Sequence, residues 1–144
     1  MTENNIKENE TSTVKVVYEY CVLRYVADIE REEFVNVGLL MMCKRYRWMR
    51  AETIIDEVRI GNCFRSANIT LLRNQLAAFT RDDVPEKGLP VEERYRWLAA
   101  VKSAVIQTSP SHPGIMILPA ETPAAQVKST LDAIFTTLLD KLVK

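Results

Sequence analysis

The sequence predicts a single α+β domain: an antiparallel sheet of about four strands, packed against helices that include a long C-terminal one. Three observations point there. Segments rich in β-branched and aromatic residues cluster early, at 14–26 and 34–43. Helical periodicity comes later and is clearest after Thr122. The regular strand–helix alternation of a parallel α/β fold is missing. A chain of 144 residues, 47% apolar and 26% charged, can bury one core and is too short for two independent ones.

The elements follow in order. Val14 to Val26 alternates as a strand, with Val14, Val16, Tyr18, Tyr20 and Val22 on one face. Its other face also turns apolar toward the C-terminal half, as expected of a strand running into a sheet interior. Ala27 to Glu33 is a charged turn. Phe34 to Cys43 is the second strand, with Val35, Val37, Leu39, Met41 and Cys43 expected on one core face. Lys44 and Arg45 form a tight connection to a third strand over 46–52, which makes a meander. Residues 54–64 fit either strand or helix. Ser66 can cap a helix over 67–79, where Ile69, Leu72, Leu76 and Phe79 form one stripe. Arg81 to Pro90 is a loop, and Val91 to Ala100 a short helix. Ala104 to Thr108 is the fourth strand, followed by a turn cluster over 109–114. Thr122 and Pro123 open the last helix, whose stripe is Val127, Leu131, Ile134, Phe135, Leu138, Leu139 and Leu142. Propensity alone does not hold such a helix in water, so this stripe must pack on the sheet.

Composition narrows the function classes. Nineteen basic and nineteen acidic side chains cancel, so no net field steers the chain toward nucleic acid or an anionic membrane. The longest apolar run, Val35 to Met42, is broken by Asn36 and Gly38 and falls far short of the ~20 residues a membrane span needs. Residues 1–13 read as a disordered tail without the basic and apolar regions of a signal peptide, so a cytoplasmic domain over 14–144 is expected. Cys21, Cys43 and Cys63 match no metal-ligand spacing and read as buried free thiols. No metal and no cofactor are expected, and no Gly-rich phosphate loop is present.

Several polar residues stand out against this background. Arg24 lies on a mostly apolar strand face and needs a partner if buried. Glu30 or Glu33 in the following turn is the expected carboxylate, and the alternative is a substrate anchor. Asn36 and Gly38 share a face, where a missing side chain leaves a notch for a ligand or for another part of the chain. Ser103, Gln107 and Ser109 share a face of the fourth strand, and His112 follows. A hydrolytic set from these residues lacks the nucleophile elbow. The segments Arg45-Tyr46-Arg47-Trp48-Met49 and Arg94-Tyr95-Arg96-Trp97-Leu98 are near copies. Lys44 to Arg50 carries four cations among aromatics, the composition of a single-strand stacking platform. Two amphipathic elements with snorkelling arginines are the preferred explanation, given the zero net charge and the lack of a nucleic-acid motif.

The stretch from Tyr18 to Val26, then Asp28 to Leu40, resembles the opening of a bacterial family of uncharacterised proteins, domain of unknown function 3037. The block Glu93 to Leu98, with Ser103, Ile106, Gln107, Ser109, Pro110 and His112 to Gly114, is similar to its second motif. Where members usually carry Pro after the first strand, this chain has Ala27. The resemblance implies no known activity, cofactor or catalytic residue. It implies a small cytoplasmic bacterial protein and an accessory role beside a HipA-like kinase. It also groups Arg24, Glu33, Asn36, Gly38, Arg94, Trp97, Ser103, Gln107 and His112 as a polar site or network. The expected function is therefore a non-enzymatic protein-interaction module. One alternative is a small enzyme or ligand-binding protein using Arg24, Asn36 and Gln107. The other is a single-stranded nucleic-acid binder using Lys44, Arg45, Tyr46, Arg47, Trp48 and Arg50.

Overall fold

The computed structural model describes residues 12–80, 88–100 and 103–144. Its frame is β1, Thr13–Asp28, whose 16 residues are long enough to serve three neighbours. On one side lies β2, Glu33–Cys43, and beyond it β3, Trp48–Thr53, in the expected antiparallel meander. The other side of β1 is shared. β4, Ile106–Thr108, pairs with Leu23 to Tyr25, and β5, His112–Pro119, pairs with Thr13 to Tyr20. Ser109 sits at the joint. Its N–H donates to the Val22 carbonyl at 2.9 Å, and its Oγ accepts from the Val22 N–H at 2.8 Å. The sheet thus has five strands rather than four. The fifth is disguised in sequence by Pro113, Gly114 and Pro119, which read as turn. Proline is tolerated on an edge strand, and β5 is one. Gly114 is required there, because a Cβ would run into the ring of Tyr18 on β1.

Both tight turns of the meander use an ordinary residue in the left-handed region, Glu32 at φ 55° and Arg47 at φ 51°. Each closes a four-residue turn, Ile29–Glu32 and Lys44–Arg47, by an i+3 backbone bond. The second turn therefore extends to Arg47, and the third strand starts at Trp48 rather than Tyr46.

The helices are α1, Glu57–Cys63; α2, Ile69–Leu76, prolonged by a 3-10 turn over Ala77–Phe79; α3, Val91–Ala99; and α4, Ala124–Leu142. Asp56 caps α1, accepting from the Arg59 N–H. The cap of α2 is Asn68, not Ser66: its side chain accepts from the Leu71 N–H at 3.0 Å. Pro123 occupies the cap position of α4, and the Thr122 hydroxyl donates backward to the Pro119 carbonyl instead of capping. Most of the expected loop 81–90, and the tail 1–13 except Ser12 and Thr13, lie outside the described residues.

The sheet is covered on both faces. Cys21, Leu23 and Tyr25 of β1 face α1, α2 and α3, while Val16 and Val22 face α4. The second strand serves both layers through a bulge. Leu23 pairs with Gly38 but Arg24 with Asn36, so Val37 is the extra residue. Alternation reverses there. Val35 and Val37 pack with the three-helix layer, whereas Leu39, Met41 and Cys43 pack under α4. The single apolar face expected for β2 is therefore split between two cores. Gly38 is forced, since a Cβ would stand 2.8 Å from Leu23 Cδ1 and 3.0 Å from the Glu52 carbonyl oxygen.

Val127, Leu131, Phe135 and Leu139 are the buried stripe of α4, and Leu138 is only half-buried. Leu131→Ala is expected to lower stability by ~2–5 kcal/mol through the cavity it leaves, and Leu138→Ala by clearly less. Urea denaturation of the two variants checks the ranking, and equal midpoints would refute it. The cysteines divide too. Cys21 and Cys43 are buried, but Cys63, at the end of α1, is exposed, contrary to the sequence expectation. Burial pushes the Cys21 thiol up to about 11 and raises Cys43 as well, so neither is a ready nucleophile. Titration of native protein with a thiol reagent is expected to label one cysteine quickly and the other two only on unfolding.

Candidate functional site

The polar residues singled out in sequence are divided between the two faces of the sheet. One group is a row on the α4 side. Asn36 of β2, Arg24 of β1 and Gln107 of β4 pair across neighbouring strands and share a face. The Asn36 Nδ2 donates to the Leu142 carbonyl at 2.8 Å. Arg59 Nη1 donates to the Val143 carbonyl at 3.0 Å, so two strand- and helix-borne donors tie down the C-terminal carbonyls of α4. The Gln107 amide is spent locally on the Ala104 carbonyl.

Arg24 has found an aromatic ring rather than a carboxylate. Its guanidinium lies 4.3 Å from the centre of the Phe34 ring. The expected acid, Glu33, accepts instead from Arg31 Nε and Nη2 at 3.2 and 3.0 Å, within the turn. Arg24 forms no ion pair among the described residues, and its buried Nε has no partner. The row also faces the negative end of the α4 dipole, which favours a cation. As a structural feature this row fastens α4 to the sheet.

The second group lies on the three-helix side. Tyr95 of α3 reaches the sheet, its hydroxyl 2.7 Å from Ser111 Oγ. Burial raises the Tyr95 phenol well above its ordinary value, which keeps this cluster neutral. Ser103 Oγ accepts from the Ile106 N–H at 2.9 Å and donates to Gln75 Oε1 at 3.0 Å. Beside that pair opens a cavity of about 330 Å³, bounded on α3 by Trp97 and Leu98. Arg94, on the same helix, buries an Nε without a partner among the described residues. His112 begins β5 with its ring 5.4 Å from that of Tyr20 and contacts neither Ser103 nor a carboxylate. A hydrolytic set is thus not assembled from these residues.

The basic-aromatic segment is dispersed by strand geometry. Lys44, Arg45 and Arg47 are exposed on the turn. Tyr46 packs at the margin of the α4 core, with Arg45 5.8 Å from its ring centre, and Trp48 is buried inside that core. Arg50 lies 4.3 Å from the Phe135 ring centre and bonds Glu52 and Asp132. No continuous stacking surface results, because the two tryptophan-bearing copies sit on a strand and on a helix, facing different cores.

What sequence reading missed is the exposed end of the sheet. Val17, Ile115 and Ile117 are 49, 56 and 66% exposed, and Val17 pairs with Ile115. The signal was present as the apolar run Ile115 to Leu118, masked by the prolines on either side. Also missed was Gln75, whose spacing on an amphipathic helix marked it only as polar.

Because Arg24 lacks a carboxylate partner, Arg24→Met is expected to leave stability unchanged or raise it by up to about 1 kcal/mol. Asn36→Ala strands the Leu142 carbonyl and is expected to lower it by about 1–2 kcal/mol. Thermal melts of both variants test the assignment of this row as a fastening.

No curated protein and no solved structure matches the chain. A family model does, over residues 20–139, which includes both motifs and the body of α4. The chain belongs to the family described as Protein of unknown function (DUF3037).

Proposed function

We propose that this protein is a non-enzymatic protein-interaction module of the bacterial cytoplasm, accessory to a HipA-like kinase. One observation carries the reading: an apolar stretch of sheet left bare beside an unpaired strand edge. The three-helix layer packs over the Cys21–Tyr25 end of β1, and none of the described helices covers the other end on that face. There Val17, Ile115 and Ile117 lie side by side on β1 and β5. The outer edge of β5 has no neighbouring strand among the described residues. Such an edge accepts an incoming strand, and protein interfaces combine an apolar centre with a polar rim.

The rim is present and its charge is one-sided. A depression of about 540 Å³ adjoins the bare face, bordered by Lys15, Lys44 and Arg45 against one carboxylate, Glu19. The partner that fits offers an apolar strand or ridge flanked by acidic side chains. Scattered exposed apolar residues are ordinary, but three contiguous ones beside an open edge are not. In keeping with a protein that acts off the membrane, none of the described helices is long and apolar enough to cross one.

The test uses the purified chain and a purified HipA-like kinase from the same organism. Titration calorimetry is expected to show a complex that weakens with salt. Ile117→Lys should weaken it at least about tenfold without changing the melting temperature, and Arg45→Glu should weaken it and flatten its salt dependence. Absence of a complex overturns the kinase assignment. A complex indifferent to Ile117→Lys overturns the β5 surface.

A further inference from the structure

The cavity between α2, α3 and β4 has a chemistry of its own, and it shares no lining residue with the β5 face. Its floor is Phe79, Leu98 and Ile106, all at most 3% exposed. The Trp97 indole, 44% exposed, forms one wall, and the Asn74 and Gln75 side chains and Ser103 supply the polar edge. None of the described lining residues is charged.

The hydrogen-bond network fixes how that edge is presented. Ser103 Oγ accepts the Ile106 N–H and donates its own hydrogen to Gln75 Oε1. The Gln75 Nε2 is left as a donor with no partner among the described residues. It stands at the margin of an apolar hole about as large as the smallest ligand sites.

We propose that this cavity binds an uncharged planar ring compound carrying a carbonyl or equivalent acceptor, of the size of benzamide, nicotinamide or adenine. The ring lies against Trp97 over the Phe79, Leu98 and Ile106 floor, and its acceptor takes the Gln75 Nε2 hydrogen. Neutrality follows from the lining: a charged ligand would be desolvated with no counter-charge to meet it. The size follows from the volume, which holds one ring or a fused pair. Aromatic rings gain from offset or edge contact beyond the area they bury, and the indole is the group here that offers it.

The experiment is a nitrogen-15 NMR titration of the whole chain, following the Trp97 indole N–H and the Gln75 side-chain amide, each assigned by substitution. Benzamide, nicotinamide and adenine are the probes, and benzoate and benzamidinium the charged controls. At least one neutral probe is expected to move both signals saturably, with benzoate at least about tenfold weaker than benzamide. Gln75→Glu keeps an acceptor for the Ser103 hydroxyl and so preserves the fold while removing the donor. It should weaken benzamide about fivefold to tenfold and bring benzamidinium above it. No saturable shift with any neutral probe, equal binding of benzoate and benzamide, or a preference unchanged by Gln75→Glu would each overturn the proposal.

Discussion

The contact between Leu23 and Gly38 is the constraint on which the rest of the structure depends. It seats a bulge at Val37 in the middle of the second strand, and the bulge exchanges the two faces of that strand. Without it, Val35 through Cys43 would present one apolar face and one face of Phe34, Asn36, Leu40 and Met42. With it, Leu40 and Met42 join Val35 and Val37 beneath three helices, and Leu39, Met41 and Cys43 lie under α4. One strand then feeds two cores. The bulge also brings Asn36 opposite Arg24, where its amide reaches the end of α4. Packing on one side of the sheet and helix anchoring on the other are consequences of one extra residue.

Much of this was legible in the sequence, and the exceptions have physical causes. The meander and α4 were readable because alternation and the 3.6-residue stripe are long there, so the pattern outweighs local ambiguity. The pairing of Arg24 with Asn36 and Gln107 followed from strand alternation and a short turn. Its counterpart did not: Glu33 satisfies Arg31 two residues away, and a local ion pair needs less ordering than a cross-sheet one. The bulge was suggested by Gly38, yet its effect on facing was not, because a hydrophobic residue on either side of a two-sided sheet looks the same in sequence. The fifth strand hid behind residues that signal turns in general and are tolerated at edges. Cys63 was misplaced because its apolar neighbour Phe64 packs inward while the thiol, at the end of a short helix, does not.

The family motifs mark two faces rather than one site. On the α4 side Asn36 and Gln107 bond to backbone carbonyls and Arg24 lies over Phe34, so these residues serve the fold. On the three-helix side, Ser103 holds Gln75 in one orientation beside an open cavity. A residue in a motif can therefore be required either for attachment or for presentation, and only the partner of its hydrogen bond tells which.

The shared edge of β1 has a further consequence for motion. β4 and β5 are joined at Ser109, whose hydroxyl substitutes for a backbone carbonyl in receiving the Val22 N–H. A ladder held at one point by a side chain is divided there into two segments that can open separately. The β4 segment is clamped by helices, whereas β5 has the sheet on one side and no neighbouring strand among the described residues on the other. Amide hydrogens of β5 should therefore exchange with solvent through local opening, while those between β1 and β2 wait for global unfolding. Under the proposed function, a partner strand docked on the edge of β5 would slow its exchange and extend the cooperative unit to the whole sheet.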